Sequence, residues 1–96
     1  MQPTLTSAQR RHLRGMAQRL EAAVKLGKNG ITPAFLAGLN EELALRELVK
    51  IKLGDFKDQR HELAAQMAEA TGSALVQVVG HVVVLYRPRP PKSKEA

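Results

Sequence analysis

Apolar residues recur with two different periods along the 96 residues, and the changes of period divide the chain. Leu13, Met16, Ala17 and Leu20 follow one another at helical spacing, which predicts a helix over 5–20 with these four as its buried stripe. Thr6 is placed to cap it, and Gln9, three residues on, completes a capping box. Residues 22–26 read as a short strand. Phe35, Leu36, Leu39 and Leu43 mark a second helix over 32–46, with Thr32 as N-cap and Pro33 at the first helical position. Residues 48–53 alternate apolar and basic, the pattern of a half-exposed strand. Asp58 is the candidate cap of a third helix running to about residue 70, with Leu63, Met67 and Ala70 turned inward and Gly72 as a left-handed stop.

Two runs near the end, 74–79 and 82–86, carry the strongest strand signals. Gly80-His81 between them suits a two-residue hairpin turn with glycine first. Both runs are apolar on both faces, as in strands that lie centrally or are covered on both sides. The order is helix, strand, helix, strand, helix, strand, strand. It predicts an α/β fold: one domain in two layers, a mixed sheet of about four strands with three helices packed against it. The domain is expected over 1–87. The proline-rich stretch that follows, Pro88 to Ala96, is expected to stay disordered and mildly basic.

One stretch stands out for chemistry. Gly27-Lys28-Asn29-Gly30 lies between the first strand and the second helix. Glycines let the backbone turn tightly and approach a ligand closely, and the helix that follows directs N–H groups and the positive end of its dipole at an anion. A pair of glycines three apart is frequent by chance, so the motif gains meaning only from its surroundings. Those surroundings are basic. Net charge is +6, and residues 1–52 hold nine Lys or Arg against four acids, whereas residues 53–96 hold six against five. On a helical wheel Arg10, Arg11, Arg14 and Gln18 fall together on one side of the first helix, with no acid before Glu21 to pair with. Lys25 extends this basic surface toward the loop. Lys50 and Lys52 share a face of their strand and either add to it or keep that face wet. The balance points to a polyanion, with RNA phosphate as the working hypothesis.

Other chemistries find little support. There is no cysteine, hence no disulfide, thiolate or cysteine metal site. His61-Glu62 does not open the zinc motif H-E-x-x-H, because position 65 is alanine. His12 reads as partly buried packing and His81 as an exposed turn residue. Glu41, Glu42 and Glu47 read as a solvated face, and Gly27–Gly30 lacks the frame of a Walker loop. No nucleophile–base pair appears, so neither catalysis nor a cofactor is expected. No run of about 18 apolar residues or signal-peptide pattern is present, which leads to the expectation of a cytoplasmic protein away from membranes; a monomer is also expected.

Four motifs in this order resemble a known family. They are Leu5-Thr6-Ser7-Ala8-Gln9-Arg10-Arg11-His12-Leu13-Arg14, then Lys25-Leu26-Gly27-Lys28-Asn29-Gly30-Ile31-Thr32, then Leu48-Val49-Lys50-Ile51-Lys52. The last runs from Thr71-Gly72 through Leu75-Val76-Gln77-Val78-Val79-Gly80 to Val84-Leu85-Tyr86-Arg87. Over 5–87 the chain is similar to a stand-alone CRM domain of the YhbY type (chloroplast RNA splicing and ribosome maturation). The resemblance implies a fold similar to the C-terminal domain of bacterial translation initiation factor three. It also implies RNA binding through the Gly27–Gly30 loop and the adjacent basic surface. Single-domain bacterial members are associated with precursors of the large ribosomal subunit, so ribosome assembly on ribosomal RNA is the implied process. Asn29 stands where a basic residue is commoner, which implies slightly weaker attraction at the loop. The expected contacts are therefore Gly27, Lys28, Asn29, Gly30, Lys25, Arg10, Arg11 and Arg14. The competing readings are an Alba-like binder of duplex DNA and a module that docks on ribosomal proteins.

Overall fold

A computed structural model of the chain describes residues 4–55 and 57–88. The elements in order are α1 (Ser7–Ala17), β1 (Val24–Leu26), α2 (Pro33–Arg46), β2 (Leu48–Leu53), a 3-10 turn (Lys57–Gln59), α3 (Arg60–Thr71), β3 (Ala74–Val79) and β4 (Val82–Tyr86). The four strands form one mixed sheet in the order β1-β2-β4-β3. β1 and β2 are parallel, and the other two pairings are antiparallel. α2 is therefore the crossover that a parallel pair requires.

The sheet is covered fully on one face and in part on the other. Val49, Ile51, Leu53, Val83 and Leu85 point to one side and pack with Leu26, with Leu39 and Leu43 of α2, and with Ala64, Met67 and Ala68 of α3. Leu48, Val76 and Val84 point to the other side and pack under Leu13 and Ala17 of α1. The result is three layers, α1 on the sheet on the α2–α3 pair, rather than the two expected. A small chain reaches three layers because a single short helix covers the second face. Each fully buried Leu or Val side chain stabilises the fold by about 1.5–3 kcal/mol.

α1 starts as its sequence predicts: the Thr6 hydroxyl accepts from the Gln9 amide at 3.0 Å, and the Gln9 side chain accepts from the Thr6 amide at 2.9 Å. It stops sooner than the apolar spacing suggests. With the helix ending at Ala17, Met16 stays 46% exposed and Leu20 37% exposed, so the buried stripe is Leu13 and Ala17 alone. Lys50 supplies the reason for a firm stop. Its ammonium donates to the carbonyls of Ala17 and Leu20 at 3.2 and 3.0 Å, a cation set against the negative end of the helix dipole. His12 is exposed rather than partly buried.

α3 also begins differently. Asp58 lies in the 3-10 turn, and the helix starts after Gln59 without a side-chain cap. Ala64 and Ala68 are buried with Met67, whereas Ala70 is exposed. Alanine at both positions lets α3 lie close to the sheet. Gly72 ends the helix in the left-handed conformation, as expected. Gly80, the first of two hairpin residues, has a φ of +56°, which a turn with glycine first requires.

Two arginines tie layers together through backbone carbonyls. Arg87, just after β4, donates to Asn40 Oδ1 at 2.6 Å and Asn40 O at 3.0 Å on α2, and to Thr71 O at 2.8 Å at the end of α3. Its own amide donates to Glu47 O at 2.8 Å where α2 ends. One guanidinium thus fixes the spacing of α2, α3 and the sheet. Arg10 of α1 donates to Leu75 O and, at 3.2 Å, to Val76 O on the edge strand β3. These carbonyls lie where β3 bulges, between Leu75 and Gln77. The guanidinium satisfies edge carbonyls that would otherwise invite another strand.

Hydrogen bonds from a charged donor contribute about 1.5–3 kcal/mol each, and bonds sharing one group are not additive. We expect Arg87→Ala to destabilise the protein by about 3 kcal/mol, with Arg87→Lys recovering only a minor part because an ammonium lacks the planar fork. Urea unfolding monitored by circular dichroism checks both. In the same assay Arg10→Ala should cost about 1–3 kcal/mol. Arg11→Ala should stay within about 0.5 kcal/mol of the parent.

Candidate nucleic-acid interface

Because β1 and β2 run in parallel, the loop after β1 and the loop after β2 emerge at the same end of the sheet. The β3–β4 turn lies there too: Leu53 N–H donates to His81 O at 2.6 Å, and Gly54 N–H donates to Leu26 O at 3.0 Å. Three glycine-bearing connections therefore meet at one pole, with exposed Asp55 among them.

Gly27–Gly30 forms a tight turn in which Gly30 N–H donates to Gly27 O at 3.1 Å. The two glycines do different work. Gly30 has a φ of +73°, a conformation that favours glycine. Gly27 has no such φ, and a Cβ built there would meet nothing within 4 Å. The fold itself thus gives no reason for glycine at position 27, while an approaching ligand would. The amide of Gly30 is consumed within the turn, so it is not among the donors offered outward. Those are the amides of Lys28, Asn29 and Ala34, which have no acceptor among the described residues. Ala34 belongs to the first turn of α2, where Thr32 Oγ1 accepts from Phe35 N–H at 3.0 Å, Pro33 follows the cap, and no acid is present. The arrangement combines free N–H groups with the positive end of a 14-residue helix.

The basic surface beside this loop differs from the expected one. Lys25 and Lys52 are direct partners across the β1–β2 pair. Their neighbours Leu26, Ile51 and Leu53 face α2 and α3, so both lysines lie on the α1 side of the sheet. Lys52 is in register with Val82, and Val82 with Val79, so one row, Lys25-Lys52-Val82-Val79, crosses all four strands at the loop end. α1 does not cover this row. Arg14 reaches its far part, lining a hollow with Val79, Val82 and Lys50.

The helix-one arginines do not act as one group. Arg10 is committed to the carbonyls of β3, which corrects its expected place among the contacts. Arg11 is exposed and shares a shallow hollow with Arg19, Met16 and His12 on the outer side of α1. Arg14 alone turns toward the open sheet face. The helical wheel groups all three within about 100°, but packing of Leu13 and Ala17 fixes a rotation that separates them. Lys52 is the cation that sequence reasoning left undecided. Its signal was present, since a residue alternating with Ile51 and Leu53 must face away from the α2–α3 core. Lys50, the other, is held by the carbonyls at the end of α1.

Known proteins are similar to this chain in sequence and in fold. Residues 5–87 match the model of the CRS1/YhbY (CRM) domain. An RNA-binding protein of Haemophilus influenzae is 37% identical over 86 residues, spanning 88% of this chain and 87% of that protein. YqeI of Bacillus subtilis, named a "probable RNA-binding protein", is 32% identical over 84 residues, spanning 86% and 88%. The solution structure of SAV1595 from Staphylococcus aureus superposes with a TM-score of 0.79 at 35% identity, covering 95% of this chain and 96% of that one. On the match of fold, motifs and sequence, the chain belongs to the CRS1/YhbY (CRM) domain family.

Proposed function

We propose that this protein binds RNA without catalysing a reaction, holding backbone phosphates at the Gly27–Gly30 turn and the start of α2. The observation that carries this is Gly27: its missing side chain leaves open space beside the unpaired amides of Lys28 and Asn29. A phosphate oxygen needs that access and those donors. Lys28 and Lys25 flank the turn, and Lys52 and Arg14 continue the positive surface across the sheet, with Arg11 farther out on α1. Contacts to phosphate position a protein on RNA and carry little base information. With one tyrosine, two phenylalanines and no tryptophan, the chain offers few stacking platforms. Recognition then rests on backbone shape, which fits structured ribosomal RNA in precursors of the large subunit and a role in their assembly. Relatives named as RNA-binding proteins support the polymer.

Gly27→Glu tests the site, because the substitution has room and an ordinary φ. We expect unchanged thermal unfolding and an affinity for structured ribosomal RNA fragments reduced by about tenfold or more, from like-charge repulsion at the phosphate position. Undiminished binding would remove the loop from the interface. Five cations engaged with phosphate predict a slope of log affinity against log salt of roughly −3.5 to −4.5. A slope near zero would refute the electrostatic account. Equal competition by duplex DNA would favour the DNA reading. Unchanged affinity of a Lys28→Glu, Arg14→Glu double variant for precursor particles would favour docking on ribosomal proteins.

A further inference from the structure

The open part of the sheet face holds a feature apart from the glycine turn. Between the second half of α1 and the loop end of β2, β4 and β3 lies a hollow of about 220 Å³. Its floor is apolar, made by half-buried Val82 over the buried Val84 and Ala17, with Val79 at the rim, and Val79 remains 54% exposed. A β-branched side chain exposed at the end of a strand whose other residues are buried or half-buried leaves apolar surface in water. Its walls are polar. The amide side chains of Gln18 and Gln77 line it from opposite sides, one from α1 and one from β3, and neither has a hydrogen-bond partner among the described residues. Arg14 and Lys50 complete it, and no acid lines it. Arg14 is half-buried, and its guanidinium makes no hydrogen bond or ion pair among the described residues. Lys50 gives the hollow a fixed positive wall, because its ammonium is anchored at the end of α1.

An apolar floor, two amides at the edges and a cationic rim together describe a particular occupant. A nucleobase has a flat apolar face, an edge of donors and acceptors, and a phosphate on either side. Each amide can donate and accept at once, as base-edge recognition requires. The hollow also continues the row that starts beside the glycine turn, since Val82 and Val79 follow Lys25 and Lys52 in register. A strand whose phosphates cross that row would carry its bases over the hollow.

We propose that this hollow receives one unpaired base of the bound RNA, with Val82 and Val79 against its face, Gln18 and Gln77 at its edge and Arg14 on the adjoining phosphate. The proposal rests on the reading of the chain as an RNA-binding protein and adds to it a site of base selection. It gives a protein with few aromatics a way to sense sequence at a single nucleotide.

The test uses the full chain and short single-stranded RNA oligonucleotides, with affinity read by fluorescence anisotropy at fixed salt. An abasic residue is moved through the oligonucleotide one position at a time, which keeps every phosphate. The wild type should lose about fivefold or more at one position and little elsewhere, the effect of forfeiting a base with its edge hydrogen bonds. A Gln18→Leu, Gln77→Leu double variant, folded by circular dichroism, should bind the abasic strand as the wild type does and show less than about a twofold penalty at that position. Equal wild-type affinity for intact and abasic strands would overturn the base site while leaving phosphate binding in place. Absence of wild-type binding to any RNA would overturn the underlying reading and the base site with it. The wild-type scan stands alone should the double variant fail to fold.

Discussion

Strands β2 and β4 carry apolar side chains on both faces, and a sheet with such strands at its centre must be covered twice. Ile51, Val83 and Leu85 require α2 and α3 on one side; Leu48 and Val84 require α1 on the other. The helices are unequal to this task. Two helices cover the first face, whereas α1, with 11 residues and a length of about 16 Å, covers only part of the second. The uncovered remainder falls at the end where β1 delivers the glycine turn. A shortage of helix on one face thus leaves a solvent-facing strip of sheet beside the free amides of the turn.

The basic residues divide between two kinds of work. Arg10, Lys50 and Arg87 donate to backbone carbonyls and join α1 to β3, α1 to β2, and α2 to α3. Lys25, Lys28, Lys52 and Arg11 are exposed, and Arg14 stands half-buried at the hollow. A net charge of +6 mixes the two groups. The first group is committed to the fold, so composition alone overstates the charge left to meet an anion, and the cations of the second group lie around the turn and the open sheet face.

Much of this could be read from the residues. The strands 74–79 and 82–86, the caps at Thr6 and Thr32, the proline after the second cap and the stop at Gly72 follow from local rules that the structure obeys. Local rules fail where a choice depends on a distant partner. Met16 and Leu20 keep the helical period but lack a surface to meet, because α1 ends against Lys50. The role of Arg10 depends on a bulge in β3, about 65 residues away in sequence, and no helical wheel contains it. Likewise the difference between Gly27 and Gly30 is one of backbone angle and open space, which identical letters conceal. The stretch after Pro88, expected to be disordered, lies outside the described residues.

Strand β1 has only three residues, lies at the sheet's margin and has one neighbouring strand, joined to it in parallel. Beyond that pairing it is held by Leu26, fully buried, and by the bonds of Ala23 to Lys50 and of Gly54 to Leu26. The glycine turn therefore hangs from the segment that can detach at least cost, while β2, β4 and β3 remain zipped together. Local opening of this kind exposes amides to exchange with solvent at free energies well below those of global unfolding. Opening at β1 costs the burial of Leu26 at the rim of one core and leaves the α1 face packed, so compliance and stability reside in different strands of the same small sheet.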